Sequence, residues 1–248
     1  MDHDIYFGYQ RPRPTEYVQF ANFDSRQLNL YLAGRIANNP PTKEVTESIG
    51  YMDGIIDFSD ILGRRIFDNR TIEYQFKALN INYHDRKLLE QKCKRLLLIP
   101  MRQPIYDSHD LPFYWFGKAS SVTANDDHVN NVLEITVQFN VSPYALRKGQ
   151  FDDIWDNFSL ETGYAQFTKY SVKGTKKISL YNDSDLKSRL KVICQNDMTI
   201  NGKYKYTKNY QDNPNFRLEP GINDLTVNGN GDIEFQWESE VMLYCTKY

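Results

Sequence analysis

From Leu133 to Val141 every second residue is apolar: Leu133, Ile135, Val137, Phe139 and Val141 alternate with polar neighbours without a miss. Successive side chains of a strand point to opposite faces, so strict alternation describes a strand with one face in a core and the other in water. The stretch Thr71 to Ile81 repeats the pattern, with Ile72, Tyr74, Phe76 and Ala78 on one face and Glu73, Gln75 and Lys77 on the other. A helix would scatter both sets around its axis. A chain patterned this way has to bury its core between sheets.

The period changes in one place. Leu89, Cys93, Leu96 and Leu97 stand at i, i+4, i+7 and i+8, which predicts a helix over 83–99. Asp85 suits its positive start, Lys94 and Arg95 suit its negative end, and Pro100 stops it.

Other segments read as strands. In the first half these are Val18 to Phe23, Leu28 to Leu32, Thr42 to Ile49, Ile55 to Phe58 and Phe113 to Ala124. The Gly50 to Gly54 turn follows the third, and the Asn125-Asp126-Asp127 cluster joins the last to the 133–141 strand as a hairpin. Arg11-Pro12-Arg13-Pro14 holds residues 1–16 extended, as a surface segment or an arm laid on a neighbour. Ser142-Pro143 opens a linker over 142–152. Beyond it come short strands only, about 164–172, 176–181, 190–195, 198–200, 204–207, 224–227, 233–237 and 241–244. Asn201-Gly202 is a type I′ hairpin signal, and Asn228-Gly229-Asn230-Gly231 reads as a second turn. The expectation is a mainly β chain in two domains. Residues 1–145 form an α+β domain, a β-sandwich or barrel with one helix, and 146–248 form an antiparallel β-sandwich.

Composition agrees with sheet: 18 Tyr and 14 Phe suit half-buried pleated surfaces. A mean hydropathy of −0.64 with 40% apolar residues requires a very polar surface. Net charge −2 gives no general attraction to duplex DNA or to an anionic membrane. Cys93, Cys194 and Cys245 are odd in number, far apart and without a CxxC pair, so they read as reduced thiols rather than as disulfides or a zinc site. No apolar run approaches the ~18 residues of a membrane span. The first ten residues lack an export signal, so a soluble protein made in a cytosol is expected.

Chemistry is sparse. His3, His84, His109 and His128 show no metal spacing, and HExxH, GxSxG, Walker A and GxGxxG patterns are absent. His84-Asp85 reads as capping at a helix start, and His109-Asp110 as part of a loop. Asp126, Asp127, Asp183 and Asp185 read as turn formers, without a calcium loop. Asp152, Asp153 and Asp156 beside Trp155 form the nearest thing to a glycosidase carboxylate pair, but inside the linker. No cofactor or metal is called for. Two surfaces remain as candidates. Tyr51, Met52 and Phe58 put bulky apolar groups at a turn, which suggests subunit contact; Arg64 and Arg65 form a basic pair nearby that reads first as a solvated loop and otherwise as a contact with an acidic neighbour in an oligomer. Tyr204, Tyr206 and Trp237 could stack on sugars, although core and cross-strand packing is the stronger explanation of such residues.

The order of these elements resembles a known family. Gly50-Tyr51-Met52-Asp53-Gly54, the segment Ile55 to Phe58, the strand Thr71 to Ile81, the single helix and the final hairpin follow one another as in the ring-forming domain of distal tail proteins of long-tailed, non-contractile phages. The turn keeps both glycines and the aspartate; Tyr51-Met52 stand where a basic residue is common. Leu218-Glu219-Pro220-Gly221-Ile222-Asn223-Asp224-Leu225-Thr226-Val227 is similar to a turn and strand of the galectin-like sandwich that many relatives carry. The resemblance implies a structural virion protein, not an enzyme, assembled in the host cytoplasm. It implies a homohexameric ring at the distal end of the tail tube, with galectin-like domains projecting outward. Its implied partners are the major tail tube protein, tail-tip proteins, and receptor-binding or baseplate proteins. DNA would pass through the central channel without specific binding. The rival readings are a carbohydrate-binding protein for host-wall glycans and a glycan-cleaving tail enzyme.

Overall fold

The computed structural model describes residues 5–6, 9–10, 14–51, 53–59, 61, 63–148, 158–159, 164–165 and 167–244. In chain order the elements are β1 (Ile5–Tyr6), β2 (Tyr9–Gln10), β3 (Val18–Phe20), β4 (Phe23–Asp24), β5 (Tyr31–Ala37), β6 (Thr46–Glu47), β7 (Ile56–Asp57), β8 (Arg70–Leu79) and α1 (Tyr83–Leu97). There follow β9 (Gln103–Asp107), β10 (Tyr114–Asp127), β11 (Val132–Val141), β12 (Ala145–Lys148), β13 (Phe158–Ser159), β14 (Tyr164–Ala165) and β15 (Lys169–Asn182). The last are β16 (Ser188–Cys194), β17 (Met198–Ile200), β18 (Tyr204–Tyr206), β19 (Asn209–Leu218), β20 (Gly221–Gln236) and β21 (Glu238–Val241). The fold is mainly β, with one helix among the described residues. Two compact units divide it: Met1–Ala145 with Leu243–Tyr248, and Leu146–Met242.

The first unit is built on an antiparallel sheet in the order β4-β3-β9-β10-β11-β8-β5. The alternating runs do what their period requires. Ile72, Tyr74, Phe76 and Ala78 of β8 and Leu133, Ile135, Val137, Phe139 and Val141 of β11 all point into the core. Phe139 is the centre of an aromatic cluster, with Phe20 edge-on at 5.1 Å and Tyr74 at 5.9 Å between ring centroids. Gly117 of β10 has no room for a side chain, because a Cβ there would lie 2.3 Å from the Asn140 carbonyl oxygen across the strand pair.

Helix α1 buries Cys93 and Leu97 against this core, with Leu89 and Leu96 packed beside them. Asn82 caps it, its side chain accepting the Asp85 N–H at 2.9 Å. The helix ends at Leu97, two residues before the expected end, because Leu98 leaves helical geometry at ψ 54°. Arg86 is buried and ties α1 to the β10–β11 turn. Its Nε meets Asp126 at 2.5 Å, and its Nη1 donates to the Ile81 carbonyl at 2.6 Å and to Asn131 at 3.0 Å.

Several boundaries differ from the sequence reading. The expected strand over Val18 to Phe23 is broken at Ala21, where φ is +49°. The next begins at Tyr31 rather than Leu28, because Arg26 to Asn29 form a turn closed by Leu30 N–H to Ser25 C=O. β9 was not foreseen, since its five residues include Pro104 and do not alternate cleanly. Part of the expected linker, Ala145–Lys148, is a strand.

The second unit rests on one long ribbon. β15 and β20 pair over 14 residues, from Lys169↔Glu234 to Asn182↔Gly221. On its other side β20 pairs with β17 around Val227 to Gly229 and with β16 from Ile233 to Gln236. The ribbon therefore serves two groups of strands, and it changes over where Gly174, Gly229 and Gly231 have φ of +75°, +151° and +125°. The expected turn at Asn228-Gly229-Asn230-Gly231 is thus a glycine corner inside one continuous strand. Gly229 also allows close approach, since a Cβ there would lie 2.7 Å from Met198 Cγ. Asn201 and Gly202 do form a turn, both with positive φ, closed by Lys203 N–H to Ile200 C=O at 3.2 Å. The core gathers Val172, Leu180, Val192, Ile200, Val227 and Phe235.

Candidate interaction surfaces

Between β5 and β8 the chain leaves the sheet and forms an arm. Asp68 N–H bonds to Pro41 C=O, Lys43 N–H to Ile66 C=O, and Phe58 N–H to Val45 C=O. Thr46↔Asp57 and Glu47↔Ile56 continue the ladder as β6 and β7. Thr42 to Ile49 was expected to be a strand, and only Thr46–Glu47 qualify. Val45 and Ile49 are its only apolar residues and both are exposed, so no core holds the segment in a longer strand. Among the described residues from 38 to 69, none belongs to the hydrophobic core of the unit.

The anchors of the arm are few. Within the arm the buried Ser59 accepts the Val45 N–H on its Oγ at 2.9 Å, and at its base Asn69 Nδ2 donates to Asn140 Oδ1 at 2.8 Å. Phe67 meets Tyr144 edge-to-face at 6.3 Å. Beyond them Val45, Ile49, Tyr51, Ile55, Phe58 and Ile61 are all exposed. An isolated two-stranded ribbon is marginal in water, and a contiguous exposed apolar surface marks an interaction site. Tyr51 is fully exposed at the tip with φ +68°. Phe58, Arg64 and Arg65 lie on the same arm and are exposed. Met52 lies outside the described residues.

A buried charged network in the first unit was not foreseen. Asp107 is fully buried and both its oxygens are occupied. Oδ2 accepts Arg35 Nε at 2.6 Å and the Tyr74 hydroxyl at 2.8 Å, and Oδ1 accepts the His109 N–H and its Nδ1, each at 2.9 Å. Asp110 adds an ion pair to Arg35 and accepts Trp115 Nε1 at 2.7 Å. Burial works against the charge on Arg35, yet Tyr74, Asp107 and Asp110 hold its pKa above the ordinary value. Burial, followed by the Asp107 charge, raises Tyr74 well above its ordinary value. His109 thus meets a carboxylate, but that carboxylate is saturated by structural donors. No local spacing signals this set, because Arg35, Tyr74 and Asp107 come from three separate strands.

The remaining acidic candidates are accounted for locally. Asp126 pairs with Arg86, and Asp127 accepts the N–H groups of Val129 and Asn130 in a turn. Asp183 bonds to Arg147 and Ser239, and Asp185 accepts the Met242 N–H. Cys93 and Cys194 are buried free thiols, while Cys245, Asp152, Asp153, Trp155 and Asp156 lie outside the described residues.

In the second unit Tyr206 is 1% exposed and Trp237 6%, so neither ring face is open to a sugar. Both belong to the core, and Tyr204 packs on Phe216 at 4.7 Å between centroids. An open groove lies elsewhere among the described residues of this unit. It has a volume of about 520 Å³ and crosses β15, β16 and β20, lined by Lys169, Tyr170, Ser171, Gln195, Asp232 and Glu234 among others.

No protein-family model matches the chain, and no curated protein does. Among solved structures, the chain is similar to the crystal structure of SPP1 Dit (gp 19.1), described as a paradigm of the hub adsorption apparatus in Gram-positive-infecting phages. The TM-score is 0.57 at 11% identity, over 90% of this chain and 99% of that one. The two share a fold. Two structures of the phage P2 baseplate in its activated conformation, with Ca and with Sr, give TM-scores of 0.42 and 0.39 at 8% and 9% identity. Each covers 92% of this chain and 99% of the other, and at these scores neither adds to the assignment of fold.

Proposed function

We propose that this protein is a structural hub of a phage tail, a distal tail protein that joins the tail tube to the tail-tip and baseplate proteins that engage the host. The observation that carries this reading is a fold shared with SPP1 Dit across nearly the whole of both chains. The exposed arm supports it, because a lone chain has no use for six large apolar side chains in water. In this reading the copies close into a homohexameric ring by repeating one head-to-tail interface, with a central channel for DNA. A net charge of −2 suits a channel through which DNA slides without being gripped. The arm residues Tyr51, Met52, Phe58, Arg64 and Arg65 are proposed to lie in the subunit interface. The mass of the purified protein in solution, with negative-stain images of the same sample, tests the reading. Six-subunit particles with a central hole are expected, and a strict monomer at every concentration, alone and with tail-tip proteins added, would overturn it.

The groove across β15, β16 and β20 favours a second role for the second unit, capture of a host-wall glycan. Hydroxyl-rich ligands suit its mix of carboxylates, amide, hydroxyl and ammonium groups. Tyr204, Tyr206 and Trp237 are not part of that groove. Titration with cell-wall glycan fragments should shift signals of Lys169 and Glu234 if the groove binds them, and no shift at millimolar fragment would remove this role.

A further inference from the structure

The arm and the outer face of α1 are both left open, and they are opposite in character. Beyond its base, between Glu44 and Asp60, the arm carries five acidic residues and no basic one; its basic residues Lys43, Arg64 and Arg65 lie toward the base. Glu44, Glu47, Asp53 and Asp57 are all exposed there, beside the exposed apolar side chains already described. On α1, His84, Leu88, Gln91 and Arg95 stand at i, i+4, i+7 and i+11, with Lys92 alongside, and all are exposed. No acidic residue lies on that stripe. Asp85 and Glu90 are turned off it and half-buried, Glu90 being held by Lys94 at 2.6 Å. Lys92 and Arg95 form no ion pair among the described residues. Leu88 is 57% exposed, and Leu98 and Met101 extend the apolar surface past the helix end at 50% and 63%.

The dimensions agree. From its base at Pro41 to Tyr51 the arm spans at most about 33 Å as extended chain. The 15 residues of α1 measure about 22 Å. The arm is long enough to lie along the whole helix. Within one chain it does not do so, since both surfaces are exposed at once. A second copy is the occupant that brings the complementary surface in equal number and leaves its own arm free for the next copy, which is the geometry of a head-to-tail ring.

We propose that the arm of one copy docks along the outer face of α1 of the next, its apolar side chains on Leu88, Leu98 and Met101 and its carboxylates facing Lys92 and Arg95. This inference rests on the ring reading above and names the two surfaces that would build it.

Charge exchange tests it on the full chain. One variant carries Lys92→Glu with Arg95→Glu, a second carries Glu44→Lys with Glu47→Lys, and a third carries all four changes. Every altered position is exposed, and a thermal melt checks that each variant is folded. Lys92→Gln with Arg95→Gln serves as a milder version of the first. The first two variants alone should need at least ~10-fold more protein to assemble, a loss of about 1.4 kcal/mol. The fourfold variant should recover assembly, and so should an equimolar mixture of the first two. Wild-type particles of six subunits, with each variant assembling as well as wild type, would overturn this docking and leave the ring standing. The same holds if the fourfold variant stays as weak as its parents. A wild-type chain that never self-associates would overturn both.

Discussion

Arg35 and Asp107 stand 72 positions apart in sequence and meet at 2.6 Å inside the first unit, with the guanidinium 6% exposed and the carboxylate not at all. β5 and β9 are not neighbours in the sheet, so this pair fastens strands that share no backbone hydrogen bonds. Removing one partner of such a pair leaves a buried charge without compensation, which costs about 3–5 kcal/mol. Asp107→Asn and Arg35→Met should each lower unfolding stability by that order, read as a shift in the denaturant midpoint. A loss under ~1 kcal/mol for both would mean that Tyr74, His109 and Asp110 suffice without the pair.

Gly117 and Gly50 separate two uses of glycine. At Gly117 a Cβ would lie 2.3 Å from the Asn140 oxygen and 2.8 Å from the Val141 Cα, both backbone atoms of β11. A strand cannot step aside as a flexible side chain can, so Gly117→Ala should cost about 1–3 kcal/mol or more. At Gly50 nothing lies within 4 Å, and Gly50→Ala should stay within about 0.5 kcal/mol. Paired thermal melts decide, and equal effects from the two would refute the crowding at β11.

The parts of this fold that were legible are those where one residue's neighbours in sequence set its environment. β8, β11 and α1 follow from their periods, and the Asn201-Gly202 turn from its local chemistry. What failed was long-range. Asn228 to Gly231 carries the composition of a turn, but unbroken pairing of Val172 to Thr175 with Asn228 to Gly231 makes it a corner in a strand. Thr42 to Ile49 carries only Val45 and Ile49 as apolar residues, and of it only Thr46–Glu47 form a strand, paired with β7 in a two-stranded ribbon. Arg86 lies on a helix otherwise docked by apolar residues, and its carboxylate is 40 positions away. For the surfaces, Tyr51 and Phe58 were legible as bulky groups at a turn. Tyr206 and Trp237 were not separable from core by residue type, and burial assigns them to it. The open face of α1 carries no apolar period of its own, because Leu88 stands alone among His84, Gln91, Lys92 and Arg95.

Burial pushes the Cys93 thiol up to about 12 from an ordinary value of 9.0, with Lys92 opposing weakly. At pH 8 only about one thiol in ten thousand would then be ionised, and the thiolate is the reactive form. Native protein should therefore resist alkylation at Cys93 and react once denaturant unfolds it. The sign for stability follows from the same shift. Between about pH 9 and pH 12 the unfolded chain loses this proton and the folded one keeps it, so this group's contribution to stability is complete below pH 9 and declines as pH rises through that window. Replacement by Ala or Ser should flatten that part of the pH profile. Rapid native labelling of Cys93 at pH 8, located by mass spectrometry, would contradict its burial.

Tyr51 allows folding to be separated from assembly. Its φ of +68° lies in the left-handed region, which costs a residue with a Cβ roughly 1–2 kcal/mol and costs glycine almost nothing. Its ring is fully exposed, so it contributes no burial within the chain. Tyr51→Gly should accordingly leave thermal stability of the monomer unchanged or slightly higher, while removing the largest apolar group at the tip of the arm. If the arm is a subunit contact, the same variant should need several-fold more protein to form rings, and Tyr51→Glu more still because it also adds charge. Light scattering over a dilution series, run beside the melts, measures both quantities on one sample. Unchanged assembly in both variants would take Tyr51 out of the interface; a stable monomer that no longer assembles would place the tip of the arm in it.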